Sequence, residues 1–222
     1  MNRVAGGWWH ATPTGLLDCD VARGAGSVKI ATFNVNNINK RLPNLIAWLK
    51  SSKPDIVCLQ ELKADRADFP ELALRKAGYS AAWVGQRTWN GVAILSRHSE
   101  IVVTRRKLPG DAKDVQSRYL EAVIDGIIVV CLYAPNGNPR PGPKFDYKLA
   151  WLRRFNRHAV TLRKAGAPVV LAGSGSLPAV DDPHRRRILL AIIIAIQGFS
   201  VRAAAICTIE QRHGRPELRI VG

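Results

Sequence analysis

Apolar and polar positions fall into two alternating periods from Val28 to Ala172. Val28 to Asn34 is a short apolar run with a β-branched bias, which predicts a strand. Leu42, Leu45, Ile46 and Leu49 recur at i, i+3, i+4 and i+7, the stripe of an amphipathic helix. That helix should stop near Ser52, because Pro54 biases Lys53 away from helical geometry. Ile56-Val57-Cys58-Leu59 reads as a buried strand ending at Gln60-Glu61. A second helix is expected from Phe69 to Ala77, closed by Gly78 as a C-cap. Strands follow around 81–84, 92–95 and 101–103.

Tyr119–Ile124 and Ile127–Tyr133 flank Asp125-Gly126, the strongest short-range hairpin signal in the chain. A long helix then shows Leu149, Leu152, Phe155, Ala159 and Leu162 on one face, with Gly166 after it and a last strand at Pro168–Ala172. Alternating strands and helices with a hairpin-rich middle predict an α/β or α+β class with mixed sheets. Past Gly173 the pattern fits neither an amphipathic helix nor alternating strands. Residues 1–27 read as a flexible extension, or as a start placed too early, and 174–222 as a divergent basic tail.

Composition narrows the partners. The 222 residues are 47% hydrophobic, enough for a sizeable core. The net charge is +16, from 33 Lys+Arg against 17 Asp+Glu, and favours a polyanion, nucleic acid ahead of an anionic membrane. An Arg-rich soluble protein from a GC-rich coding background is the competing reading. Cys19, Cys58, Cys131 and Cys207 are scattered with no C-x-x-C pair, so no zinc knuckle is expected. Cys58 and Cys131 read as core thiols in a reducing, cytoplasmic setting. No signal-peptide pattern is seen at the start, and the longest apolar run, Ile188–Ile196, is about half a membrane span. A soluble protein without a membrane partner is expected.

The chemistry gathers at strand ends. Ile30 to Asn36 places two amides, Asn34 and Asn36, at the end of one strand, and Gln60-Glu61 places a carboxylate at the end of another. Strands ending side by side would bring them together as an oxygen-rich cluster with one carboxylate. Mg²⁺, which keeps several waters, suits such a cluster. A lone Glu after a strand is otherwise a solvated charge.

Order and company raise the signal. Phe33-Asn-Val-Asn36, Leu42-Pro-Asn-Leu45, Pro54-Asp-Ile-Val-Cys-Leu-Gln-Glu61, Asn90-Gly-Val-Ala-Ile-Leu-Ser-Arg97 and Leu132-Tyr-Ala-Pro-Asn-Gly137 follow one another. Over residues 28–173 this series resembles the exodeoxyribonuclease III / apurinic-apyrimidinic endonuclease family. The resemblance implies a four-layer sandwich of two mixed β-sheets flanked by helices, the second sheet incomplete here. It implies hydrolysis of phosphodiesters in double-stranded DNA at abasic sites and 3′ ends, with Mg²⁺ or Mn²⁺, by a monomer. Glu61 then matches the metal-binding glutamate and Asn34 the amide beside metal and phosphate. Tyr133 matches the phosphate-contacting tyrosine, and Asn136 shares its loop. Asn36 lies in the Asn34 motif, Asn90 near the DNA groove, and Arg118 at a DNA-contacting arginine. For Asn36, Asn90 and Arg118 a turn former or a solvated charge is the competing reading.

The departures weigh against full activity. Where the resemblance calls for G-D-x-N, this chain has Gly173-Ser174-Gly175-Ser176, so the positions of the Asp and the Asn hold serines. No S-D-H tripeptide occurs, and His184 and His213 lie in unrelated Arg-rich surroundings. Glu61-Leu62-Lys63 has Leu where Thr is usual, and Asn37 replaces Gly or Ser. The expectation is a weakened nuclease, or an inactive remnant that at most binds DNA. An abrupt change of character after Gly173 is what a frameshift would produce.

Overall fold

The structure, a computed structural model, describes the backbone of residues 19–20, 28–174, 204–212 and 215–220, and the side chains of 28–174. In chain order the elements are β1 (Cys19–Asp20), β2 (Lys29–Asn34), α1 (Ile38–Ser52), β3 (Ile56–Gln60), α2 (Glu71–Lys76), β4 (Ser80–Val84) and β5 (Val92–Ser96). Then come β6 (Val102–Arg105), β7 (Tyr119–Ile124), β8 (Ile127–Tyr133), α3 (Pro143–Arg163), β9 (Val169–Ser174), β10 (Ala204–Arg212) and β11 (Arg215–Ile220). One sheet runs β11-β10-β2-β3-β5-β4 with β1 beside β2, and the other runs β6-β7-β8-β9. Each contains one parallel pair, β2 with β3 and β8 with β9, among antiparallel ones.

The layering follows from side chains alternating across each strand. Ile30, Ile56, Cys58, Ala82 and Ile94 point from the larger sheet into one apolar cluster with Leu120, Ala122, Val129, Cys131 and Ala172 of the smaller. The alternate residues Ala31, Val57, Leu59, Ala93 and Leu95 pack onto Leu45 and Leu49 of α1 and Leu74 of α2. On the far side Tyr119, Val130 and Leu132 lie under Trp151, Phe155, Ala159 and Leu162 of α3. Helices, sheet, sheet and helix thus form the expected four-layer α/β sandwich. Burial of side chains such as Trp151 and Phe155 contributes about 1.5–3 kcal/mol each. Gln60 is a buried polar exception between the sheets, donating to Thr32 Oγ1 at 2.9 Å and Cys131 Sγ at 3.4 Å.

Local chemistry sets the boundaries. Helix α1 starts four residues before its first apolar stripe position, because Asn37 is the N-cap and its side chain accepts from Lys40 N at 3.0 Å. It ends at Lys53, which takes a left-handed φ of 45° ahead of Pro54. Helix α2 is shorter than expected, with Pro70 at its N-cap. Asp125 and Gly126, at φ 50° and 77°, make the tight turn between β7 and β8.

The region after Gly173 departs from its sequence reading. Strand β10 pairs antiparallel with β2 from Ala204↔Phe33 to Cys207↔Ile30, and β11 pairs with β10. These strands are specified by an available edge of β2, whose free N–H and C=O groups accept a partner irrespective of side-chain alternation. The extension over 1–27 apart from Cys19–Asp20, Ser176, His184, His213 and Ile188–Ile196 lie outside the described residues.

Candidate active site

The parallel pairs decide where the chemistry collects. Asn34 at the end of β2 sits opposite Gln60 at the end of β3, and Tyr133 at the end of β8 sits opposite Ser174 at the end of β9. With the sheets face to face, these ends meet at one rim. A single amide ties them together: Asn34 Nδ2 donates to Glu61 Oε1 at 2.8 Å and to Ser174 Oγ at 3.2 Å. Its Oδ1 accepts from the Asn36 backbone N–H at 3.1 Å. Lys63 Nζ lies 3.3 Å from Glu61 Oε2 and donates to Asn36 Oδ1 at 2.6 Å.

This surrounding controls ionisation. Burial opposes the charge on Glu61, but hydrogen bonds from Asn34, Tyr133 and Lys63, with the Lys63 charge, outweigh it and hold the carboxyl below its ordinary value. Burial first, then the Glu61 charge and hydrogen bond, push the Tyr133 phenol up to about 12 against the opposing Arg118. Tyr133 therefore stays a donor at neutral pH. The Arg118 guanidinium lies over the Tyr133 ring, 4.9 Å from its centroid. A cleft of about 770 Å³ opens in front, lined by Glu61, Lys63, Asn90, Arg118, Tyr133 and Asn136 among others.

The expected residues divide by position. Glu61, Asn90, Arg118, Tyr133 and Asn136 line the cleft, and Asn34 and Ser174 lie behind Glu61. Asn36 is exposed, at φ 43°, and is both a turn former and an acceptor for Lys63. Asn90 is buried, takes φ 57°, and donates to Gln86 Oε1 at 2.9 Å. Its backbone carbonyl accepts from Lys63 N at 3.0 Å, and the Gly91 carbonyl from Leu62 N at 3.2 Å. The strained turn carrying Glu61 (φ 54°) is thus stapled to Asn90-Gly91. Gly91 has to be glycine, since at φ 88° a Cβ would lie 2.8 Å from Leu62 Cβ. Arg118 is half-buried, which removes the solvated-charge reading. Lys63, Gln116 and Tyr147 join the site without having been singled out from sequence. The spacing of Lys63, two residues after Glu61, was the one available signal.

The donor set at the rim suits one kind of cation. Glu61 is ionised, and its neighbours, the Asn34 amide and the Ser174 hydroxyl, are neutral. Among the described residues no three His, Cys, Asp or Glu converge. One carboxylate with neutral oxygens fits a hard, water-retaining cation such as Mg²⁺ and not a transition ion needing nitrogen or sulfur.

Residues 31–174, well over half of the chain, match the endonuclease/exonuclease/phosphatase family. The chain belongs to that family. Exodeoxyribonuclease III from Haemophilus influenzae is 28% identical over 171 residues, covering 72% of this chain and 64% of that protein. The 3′-5′ exonuclease NExo from Neisseria meningitidis is 37% identical with a TM-score of 0.66, covering 72% of this chain and 63% of that one. NExo has also been solved with a product DNA hairpin. An AP endonuclease from Archaeoglobus fulgidus is 35% identical with a TM-score of 0.61, over 77% of this chain and 65% of that one. The chain spans just under two-thirds of the length of these relatives. Within this endonuclease/exonuclease/phosphatase domain, the rim joining Asn34, Glu61, Tyr133 and Ser174 brings polar side chains of both sheets together beside one cleft.

Proposed function

We propose that this chain binds the phosphate backbone of double-stranded DNA, at abasic sites or 3′ ends, as a DNA-repair nuclease whose hydrolytic step is impaired. One observation carries the impairment: the Ser174 hydroxyl occupies the tip of β9, 3.2 Å from Asn34 Nδ2, where the family resemblance calls for an aspartate. Hydrolysis adds a water oxygen to phosphorus and expels an alkoxide, so a proton must leave the water. A serine hydroxyl does not accept that proton near neutral pH, and loss of one positioned base costs about 10²–10⁴-fold. The remaining donors suit the charge that grows on the phosphate. Arg118 and Lys63 bring positive charge, and Tyr133 and Asn136 bring hydrogen bonds, at the wall of the same cleft. Mg²⁺ or Mn²⁺, when bound, would be held by Glu61, whose carboxylate Asn34 Nδ2 orients, and would neutralise phosphate charge.

The net charge of +16 supports a polyanionic ligand. Among the described residues no helix is long and apolar enough to cross a membrane. We infer action as a monomer in the cytoplasm. The test is cleavage of an abasic-site duplex with Mg²⁺ by wild type and Glu61→Ala. The expected result is slow magnesium-requiring cleavage that Glu61→Ala removes. Rapid scission by pure wild type would refute the impairment. Identical residual rates would favour the second reading, a DNA binder without turnover, which the lost carboxylate at 174 also suits.

A further inference from the structure

The cleft wall opposite Glu61 is organised by groups that lie away from the rim. Helix α3 carries Arg154, whose side chain is 6% exposed and whose Nη2 donates to Asp114 Oδ2, itself 8% exposed. Arg154 Nη1 is buried with no partner among the described residues, so Asp114 is what balances this charge. The Tyr147 hydroxyl, also from α3, lies 3.1 Å from each Asp114 carboxylate oxygen. Tyr147 and Arg118 line the same cleft. On the loop itself, Asp114 Oδ1 accepts from Gln116 N at 3.1 Å. Gln116 Oε1 then accepts from Arg118 Nε at 2.7 Å and from Asn90 Nδ2 at 3.3 Å. One hydrogen-bonded route, through Gln116, thus runs from Asp114 to the Arg118 guanidinium, which rests on the Tyr133 ring, and the Tyr147 hydroxyl braces Asp114 at its start.

A guanidinium on a flexible stem loses rotamer freedom when it grips a phosphate, and one already held loses less. We propose that Asp114 and Tyr147 are positioning residues that present Arg118 to a DNA phosphate in the cleft. This rests on the reading of the cleft as a DNA-backbone site. Asp114 does not line the cleft, and the effect of both residues passes through Arg118. A merely structural role for Asp114, as counter-ion to Arg154, would leave Tyr147 without influence on DNA.

The experiment titrates a fluorescent abasic-analogue duplex with the full chain in EDTA, over a series of salt concentrations, for wild type, Tyr147→Phe, Arg118→Ala and the double variant. Tyr147→Phe keeps the ring and removes the hydroxyl alone. It should weaken binding about fivefold to tenfold and lower the slope of log affinity against log salt by about 1, the signature of one lost phosphate contact. The double variant should match Arg118→Ala, because a residue acting through another adds nothing once its target is gone. If Arg118→Ala weakens binding while Tyr147→Phe does not, or if the two effects add, the positioning role is overturned and the DNA site stands. If wild type shows no salt-dependent affinity, or Arg118→Ala changes nothing, the cleft reading itself fails and takes this inference with it. Thermal melts accompany each titration. Should Tyr147→Phe not fold, Gln116→Leu removes the hydrogen bond on Arg118 Nε and carries the same expectation, and an unchanged slope there overturns the proposal.

Discussion

Two glutamates in this chain solve the same electrostatic problem in different places. Glu121 lies in the middle of β7 beneath α3, its side chain 6% exposed. Its oxygens meet His158 Nε2 at 2.6 Å, Thr104 Oγ1 at 2.7 Å and the Tyr119 hydroxyl at 2.7 Å. Burial opposes its charge, and the bonds from His158, Thr104 and Tyr119 outweigh that burial, so its pKa falls. Glu61 reaches the same state through Asn34, Tyr133 and Lys63. Yet Glu121 is enclosed between a sheet and a helix, whereas Glu61 stands one residue past β3, in a left-handed turn that opens onto the cleft. A depressed carboxylate pKa therefore does not by itself mark chemistry. What sets Glu61 apart is its position at a strand end, beside donors that also line a cleft.

The largest expected effect sharpens the contrast at the rim. Ser174→Asp should raise magnesium-dependent cleavage of an abasic duplex by about 10²-fold or more, within the range assigned to one positioned base. A rate no different from wild type would mean that the rim lacks more than this carboxylate. Next comes the enclosed glutamate. Glu121→Ala should destabilise the fold by about 3–5 kcal/mol in urea titrations, since it strands buried partners, while duplex affinity stays unchanged. Its pH dependence has a definite sign. Because folding lowers the Glu121 pKa below 4.5, the stabilisation is fully present above that value and is lost as pH falls through the lower folded value. Glu121→Gln should accordingly flatten the acid limb of a stability–pH curve, and an unaltered limb would remove Glu121 from the account. The smallest effect tests the staple beneath Glu61. Gly91→Ala should cost about 1–3 kcal/mol, read as a lowered melting temperature, because it combines a left-handed φ with a contact on Leu62.

Much of the fold was legible because its signals are local. The stripe through Leu45 and Leu49, the Asp125-Gly126 turn and the apolar run of β3 each needed only their own neighbours. The start of α1 was not given by the apolar stripe, because it is set by the cap at Asn37, whose hydrogen bond from Lys40 N lies before the stripe. Strands β10 and β11 were not legible, since β10 is defined by pairing with β2, more than 170 residues earlier in the chain. At the site, Glu61, Asn34 and Tyr133 came from motif order, and Ser174 from a missing aspartate. Asp114 and Tyr147 gave no such sign: a single Asp in a loop and a Tyr on a helix carry nothing distinctive until Arg154 and Arg118 are beside them.

The order of residues by itself determined the alternation of strands and helices, the family resemblance, the excess of positive charge and the serine in place of a carboxylate. These are properties of neighbours and of composition, and no folding is needed to count them. Only the tertiary structure decided which glutamate faces a cleft, which arginine is held in place and which strand end meets which. Those outcomes depend on two sheets being stacked and two strand pairs running parallel, contacts between residues as far apart as Asn34 and Ser174.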